Sequence, residues 1–249
     1  MEIAGKAIVV TGAAGGFGRA IASALLGGGA RVAALDRDAD GLEALAQQDA
    51  GVFCRACDLT DPDGVKDAVD AVHGAFGRID ALVNAVGMIH SAPLVNLMNR
   101  EQRTHDVAAW QTVLAANLTS VFLTGKQVAE KMALDRAKGA IVNISSSSAG
   151  GNAGQSAYSA AKAGVNALTK VWAKELGPLG IRVVAIAPGF IDNQATHDAL
   201  GESALREIKR ETPLRRLGDV DQVCSTVLYA LENDFVTGTV LEVDGGLRS

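Results

Sequence analysis

Ala7-Ile8-Val9-Val10-Thr11-Gly12-Ala13-Ala14-Gly15-Gly16-Phe17-Gly18 runs a short β-branched stretch straight into a glycine-rich turn. The apolar run predicts a strand, Gly18 to Leu26 a helix, and the spacing Gly-x-x-x-Gly-x-Gly lets backbone come close to a ligand at the junction. A helix amino terminus there offers free N–H donors and a positive dipole end, which suits the pyrophosphate of a dinucleotide. Gly12, Gly15, Gly16, Phe17 and Gly18 are therefore candidate cofactor-binding residues.

Working outward, the same alternation of strand and helix continues along the chain. Further strands are expected at Arg31 to Leu35, Val52 to Cys57, Ala81 to Asn84, Ala140 to Ser145, Arg182 to Ala187 and Thr239 to Val243. Helices are expected at Ala39 to Gln48, Pro62 to Phe76, Ala108 to Met132, Tyr158 to Leu176 and Val220 to Leu231. The strands read as near-continuous apolar runs, the pattern of parallel strands covered on both faces. The expected fold is α/β, a doubly wound parallel sheet of seven strands, Rossmann-like, with ligands at the carboxyl ends of the strands. One domain over 1–249 is expected. Segments 88–107 and 190–212 break the rhythm after strand ends, and both are placed to rim a site.

Composition narrows the classes. The chain has 249 residues, 48% hydrophobic and 20% charged, with a formal net charge of -5. That balance fits an ordinary globular chain, and scattered Lys and Arg residues argue against nucleic acid as a partner. Met1 to Lys6 lacks a secretory layout, and no uninterrupted apolar run reaches the ~18 residues of a membrane span, so a cytoplasmic protein without a membrane partner is expected. Three cysteines, Cys54, Cys57 and Cys224, are expected to be reduced. Cys54 and Cys57 share a C-x-x-C spacing, but in a strand they point to opposite faces. His73, His90, His105 and His197 form no recognisable ligand set, so no metal is expected.

Two constellations carry chemistry. Asp36 ends the second strand, where a carboxylate accepts the hydroxyls of an adenosine ribose and repels a 2'-phosphate, favouring NAD over NADP. Arg37 follows and is the feature that would favour the phosphate. Asp58 and Leu59, at the end of the third strand, meet the adenine ring or, in the case of Asp58, cap the turn at Thr60 to Pro62. The second constellation is Tyr158-Ser159-Ala160-Ala161-Lys162, preceded by the strand end Asn143-Ile144-Ser145-Ser146. An i, i+4 spacing puts Tyr158 and Lys162 on one helix face. A free phenol titrates near ~10, and a neighbouring cation would lower that value and make it a useful acid/base. A serine hydroxyl beside it would hold a substrate oxygen.

Joined together, these motifs make the chain resemble the short-chain dehydrogenase/reductase family over essentially its whole length, in the branch of 3-oxoacyl-carrier-protein reductases and 3-hydroxyacyl-CoA/17β-hydroxysteroid dehydrogenases. The likeness extends to Asn84-Ala85-Val86-Gly87 where the family has N-N-A-G, to Asn117, to Pro188-Gly189, and to Val243-Asp244-Gly245-Gly246. The resemblance implies a tetrad in which Asn117 holds a relay water, a serine polarises the carbonyl, Tyr158 exchanges the proton and Lys162 tunes it and reaches the cofactor ribose. It also carries Asn84, Ala85, Gly87, Pro188, Gly189, Ile191 and Asn193 to the cofactor, with Asn193 standing where the family has Thr. It further implies pairing through helices 108–132 and 158–176 into a homodimer or homotetramer. Counting back from Tyr158 by the family spacing gives Ser145 as the serine, whereas aligning the strand gives Ser146. Because a strand shifts register less easily than a loop loses a residue, Ser146 is preferred and Ser145 stays open.

The implied activity is a hydride-transferring oxidoreductase on a ketone or secondary alcohol. The longer segment 88–107, with Met88, Ile89, His90, Leu94, Leu97 and Met98, suggests a wall for a 3-oxoacyl or 3-hydroxyacyl thioester, or a surface lid that touches no substrate. A hydroxysteroid or small secondary alcohol is the alternative substrate. A non-catalytic sensor of nicotinamide redox state is an alternative of another class, and an intact Tyr158-Lys162 pair argues against it. A methyltransferase would leave that pair unexplained.

Overall fold

The computed structural model describes residues 1–49 and 51–247. Seven strands, β1 (Ala7–Thr11), β2 (Arg31–Asp36), β3 (Phe53–Ala56), β4 (Ala81–Asn84), β5 (Gly139–Ile144), β6 (Ile181–Pro188) and β7 (Val240–Val243), form one parallel sheet in the order β3-β2-β1-β4-β5-β6-β7. Each expected strand is present to within two residues at its ends. The helices are α1 (Gly16–Gly27), α2 (Ala39–Gln48), α3 (Pro62–Phe76), α4 (Val107–Leu114), α5 (Ser120–Leu134), α6 (Ser156–Leu176), α7 (Gln194–Ala199), α8 (Glu202–Glu211) and α9 (Val220–Glu232).

Successive strand residues feed opposite cores, as the two-residue period demands. Ile8 and Val10 join Val32, Val83, Val142 and Val184 in the layer under α1, α2 and α9. Val9 joins Leu35, Leu82, Ile141 and Val183 in the layer under α3, α5 and α6. Cys54 and Cys57 divide between these two layers, so the strand geometry that separates them on paper separates them in space, and both are free thiols. Among the described residues no group of three or more His, Cys, Asp or Glu is arranged to hold a metal.

Two departures from the sequence reading bear on the site. The expected helix 108–132 is interrupted by a π-helical turn at Ala115–Thr119, with Asn117 in its middle. The apolar periodicity runs through this turn unbroken, because one inserted residue in a buried helix hardly alters its pattern. The 28-residue helix through α4 and α5 is long and apolar enough to cross a bilayer by length and composition, although its Val113, Val121, Val128 and Met132 are buried. The second rim, 190–212, is largely helical, carrying α7 and α8. Helix α8 is polar apart from a narrow stripe around the buried Leu205, so it lacked the broad apolar face by which helices are recognised.

Sheet order fixes where a ligand can lie. The chain winds outward in one direction from β1 through β2 to β3, then restarts at β4 beside β1 and winds the other way. The connections after β1 and β4 therefore diverge and leave a crevice at their carboxyl ends.

Candidate active site

The crevice is a cleft of about 1280 Å³, reaching from Asp36 to Tyr158 along the carboxyl edge of the sheet. At its left end the glycine turn is built by close backbone approach. Gly12 has φ +68°, and a side chain there would sit 2.7 Å from the Val86 Cα. A methyl on Gly18 would lie 2.0 Å from the Gly12 carbonyl oxygen, so α1 packs its first turn directly on the end of β1. The Gly15 N–H donates to the Gly12 carbonyl at 3.1 Å. No side chain caps α1, and Gly15, Gly16, Phe17 and Gly18 all line the cleft. That leaves helix N–H groups facing it.

Asp36 stands at the end of β2 with both carboxylate oxygens oriented by backbone. Oδ2 accepts from the Ala14 N–H and Oδ1 from the Asp38 N–H, each at 3.0 Å. A carboxylate oxygen has a second lone pair, so both remain able to accept from a ligand in the cleft. Arg37 lines the same end, as do Asp58 and Leu59. Asp58 lines the cleft and also orders the turn that follows it. Its Oδ1 accepts from Thr60 N at 2.9 Å and Thr60 Oγ1 at 2.7 Å, which holds its carboxyl below the usual range, while Asp61 is the residue that caps α3.

At the other end α6 brings its first turns against the end of β5. Tyr158 and Lys162 line the cleft, with relative exposures of 9% and 3%. The Lys162 Nζ donates to the Ile144 carbonyl at 2.8 Å and lies 5.8 Å from the centre of the tyrosine ring. Burial lowers its pKa to about 8. The two serines part company. Ser145 Oγ donates to the Lys162 carbonyl at 3.3 Å, whereas Ser146 Oγ accepts from Ser148 N at 3.1 Å and lies close enough to the Tyr158 phenol to favour its anion. Ser146 is thus the serine that meets the tyrosine, and Ser145 ties the strand to the helix.

The phenol itself departs from expectation. Burial raises the Tyr158 pKa and the Ser146 contact only partly opposes this, so the chain alone does not make a phenolate. The reason is competition: desolvation penalises the anion more strongly than the Ser146 contact favours it.

The side chains of Asn84 and Asn117 are engaged within the protein. Asn84 is fully buried within the sheet, where Nδ2 donates to Asn143 Oδ1 at 2.9 Å and Oδ1 accepts from Thr124 Oγ1 at 2.7 Å. Its side chain does not line the cleft, because residues on a strand alternate and this one faces the core. Asn117 is also fully buried and grips one peptide from both sides. Its Oδ1 accepts from Met88 N at 3.2 Å and its Nδ2 donates to Met88 O at 2.9 Å. Through these two bonds the Asn117 carboxamide fixes the start of the 88–107 segment. Ala85, Gly87, Pro188, Gly189, Ile191 and Asn193 all line the cleft, and Asn193 caps α7 by accepting from Thr196 N at 2.9 Å.

The two rims behave differently. Met88 and Ile89 line the cleft, but His90, Leu94, Leu97 and Met98 do not, and the last three are 70%, 76% and 92% exposed. Residues 94–105 form a small antiparallel excursion, with Val95 bridged to Thr104, and none of them lines the cleft. Ser91, Gln155, Gln194 and Asp198 line the cleft and were not singled out from the sequence. Gln155 was recoverable, since three residues before Tyr158 on a helix is the same face.

The cradle of side-chain-free backbone, the uncapped helix start and the doubly oriented Asp36 carboxylate fit a dinucleotide extended along this edge. Comparison with known proteins agrees. A family model described as enoyl-(acyl carrier protein) reductase matches residues 12–248. A 3-oxoacyl-[acyl-carrier-protein] reductase of Thermotoga maritima is 37% identical, covering 99% of both chains. D-threitol dehydrogenase of Mycolicibacterium smegmatis is 38% identical over 97% of this chain and 92% of its own. Human 3-hydroxyacyl-CoA dehydrogenase type-2 is 35% identical over 99% and 97%.

Proposed function

The chain belongs to the short-chain dehydrogenase/reductase family and is an oxidoreductase whose family uses nicotinamide cofactors, and from that premise we propose that it interconverts a ketone and a secondary alcohol with NAD(H), using Tyr158 as acid/base. The observation that carries this reading is the gathering of Ser146, Tyr158 and Lys162 at one end of a cleft whose other end is the glycine turn. Gly12, Gly15, Gly16, Phe17 and Gly18 would hold the pyrophosphate, Asp36 the adenosine ribose, and Pro188, Gly189, Ile191 and Asn193 the nicotinamide end. When bound, the nicotinamide supplies the acceptor or donor of the carbinol hydrogen with its electron pair.

The protein's own residues handle the proton. Ser146 Oγ donates to the substrate oxygen and fixes it beside the phenol, where Tyr158 Oη gives or takes the hydroxyl proton. Lys162, held on the Ile144 carbonyl, keeps a positive charge close beneath, which favours developing phenolate. The redox-sensor alternative has no use for an amine and a phenol buried together at some energetic cost. The printed names of the three relatives point to 3-oxoacyl, threitol and 3-hydroxyacyl groups, each consistent with chemistry at an alcohol or ketone carbon.

What supports NAD over NADP is the Asp36 carboxylate, a double acceptor that repels a phosphate. Titration by NADH and NADPH fluorescence is expected to give tighter NADH binding, and Asp36→Ala to reduce that preference about tenfold or more, the effect of losing hydrogen bonds to a charged group. Tighter NADPH binding by the unaltered protein would overturn the cofactor assignment.

We also propose self-association through the outer faces of α4, α5 and α6, where Val107, Phe122 and Val171 are 67%, 45% and 48% exposed. Light scattering at micromolar concentration is expected to give the mass of two or four chains. Phe122→Glu should lower it, and a monomeric unaltered protein would refute the idea.

A further inference from the structure

The substrate half of the cleft sets two polar side-chain pairs beside its apolar residues, a feature that a thioester or steroid pocket does not need. On one side, Ala92 N donates to the Gly154 carbonyl at 2.7 Å and Ala92 pairs with Gln155, which lays residues 88–92 against the turn leading into α6. Gln155 Nε2 donates to Ser91 Oγ at 3.4 Å across this seam, one helical turn before Tyr158. On the other side, Gln194 and Asp198 stand four residues apart on α7, so they share a helix face, and both line the cleft. Gln194 Nε2 donates to Asp198 Oδ1 at 2.7 Å, leaving the second carboxylate oxygen and the Gln194 carbonyl open. Met88, Ile89 and Phe190 are the apolar contribution at this end, while Leu94, Leu97 and Met98 stand outside.

Charge sharpens the choice. Among the described residues lining the cleft, the cationic side chains are Arg37 beside Asp36 and Lys162 beneath Tyr158. Lys162 is 3% exposed, whereas Asp198 adds an exposed carboxylate to the lining. A thioester carried on a phosphate-bearing arm would bring negative charge to that carboxylate and no cation to balance it. A molecule rich in hydroxyl groups would find acceptors in Asp198 and Gln194, and in Gln155 and Ser91 groups that both donate and accept.

Resting on the hydride-transfer reading above, we propose that the substrate is a small, uncharged polyol or the matching hydroxyketone, held between the Ser91–Gln155 pair and the Gln194–Asp198 pair. One hydroxyl-bearing carbon lies at Tyr158 and Ser146, and the remaining hydroxyls satisfy the two pairs. Segment 88–107 then shapes specificity through Ser91 and its seam with Gln155, and its outer excursion takes no part.

The test is a panel with NAD⁺ comprising straight-chain polyols of four to six carbons, 2-butanol, and a 3-hydroxybutyryl thioester of coenzyme A. The kcat/KM for the best polyol should exceed those for 2-butanol and the thioester by about tenfold or more, the scale of one or two charge-assisted hydrogen bonds. Asp198→Asn and Gln155→Leu alter exposed or half-exposed side chains, and each should raise the polyol KM and cut its advantage over 2-butanol several-fold. A melting-temperature rise with polyol in the presence of NADH should weaken in parallel. Faster turnover of the thioester, or a polyol advantage that survives both substitutions, would overturn the substrate class and leave hydride transfer standing. Turnover of no panel member by protein that binds NADH would defeat the hydride-transfer reading together with it.

Discussion

Replacing Tyr158 by Phe is expected to lower kcat by about 10²–10⁴, the usual contribution of a positioned acid/base, while NADH affinity changes by less than about threefold. The substitution removes one oxygen and little else. The ring keeps its packing against Val113, Ala157 and Trp110, so the helix that carries it should stay in place. What disappears is the group that exchanges a proton with the substrate oxygen. Ser146 remains beside that oxygen, but a serine hydroxyl is far too weak an acid to replace a phenol at neutral pH. Steady-state turnover and NADH fluorescence, measured on the same preparation, check the two halves of the claim. Unaltered turnover would remove Tyr158 from the chemistry. Because burial raises the Tyr158 pKa in the protein alone, the activating charge must arrive with the cofactor and from Lys162 acting close by. The pH dependence of kcat for alcohol oxidation should therefore show an apparent pKa below that of the phenol titrated without cofactor.

Lys162→Met is expected to abolish most activity and at the same time make the folded protein less sensitive to pH. Burial takes the Lys162 pKa from 10.5 to about 8, a shift equivalent to about 3 kcal/mol of disfavoured charge. The sign follows from proton counting. Between pH 8 and 10.5 the unfolded chain binds this proton and the folded chain has released it, so stability rises with pH across that window. Below pH 8 the full destabilisation is present. From pH 7 to 9.5 the unaltered protein should gain about 2 kcal/mol from this group, and the Met variant none. Tyr158, Cys54, Cys57 and Cys224 have raised pKa values and act in the opposite direction, losing stability as pH rises, but they do so in both proteins. Urea unfolding of the two at both pH values isolates the lysine. Parallel pH slopes would mean that the amine is not desolvated. The expected trade, stability for activity, is the behaviour of a charge kept buried for its chemistry.

The cofactor half of the site was legible because its determinants are local. The first strand and the glycine turn are twelve consecutive residues, and Asp36 is the last residue of a strand whose end could be read from its hydrophobic run. The Tyr158–Lys162 pair was legible for the same reason, as one helical turn fixes its geometry. The choice between Ser145 and Ser146 was not, since it depends on which hydroxyl turns toward a helix 12 or 13 residues further on. The roles of Asn84 and Asn117 were obscured because a carboxamide serves a cleft, a core or a peptide equally well, and only its surroundings decide which.

Composition alone left the role of the 88–107 segment open. Leu94, Leu97 and Met98 suited a wall or a surface lid equally, and in the fold they are exposed and outside the cleft lining. Conversely, Ser91, Gln155, Gln194 and Asp198 have nothing unusual in their local sequence, and they become a group through the seam at Ala92 and the angle of α7.

By itself, then, the sequence determined the succession of seven strands and their helices, the place of the glycine turn and the helix face bearing phenol and amine, because each is written in residues close along the chain. Tertiary structure alone decided which serine meets the phenol, where the two asparagines spend their hydrogen bonds, and how polar the substrate end is. Those outcomes depend on segments distant in sequence coming together at the sheet's carboxyl edge, and pairings of that kind leave no period for a linear reading to detect.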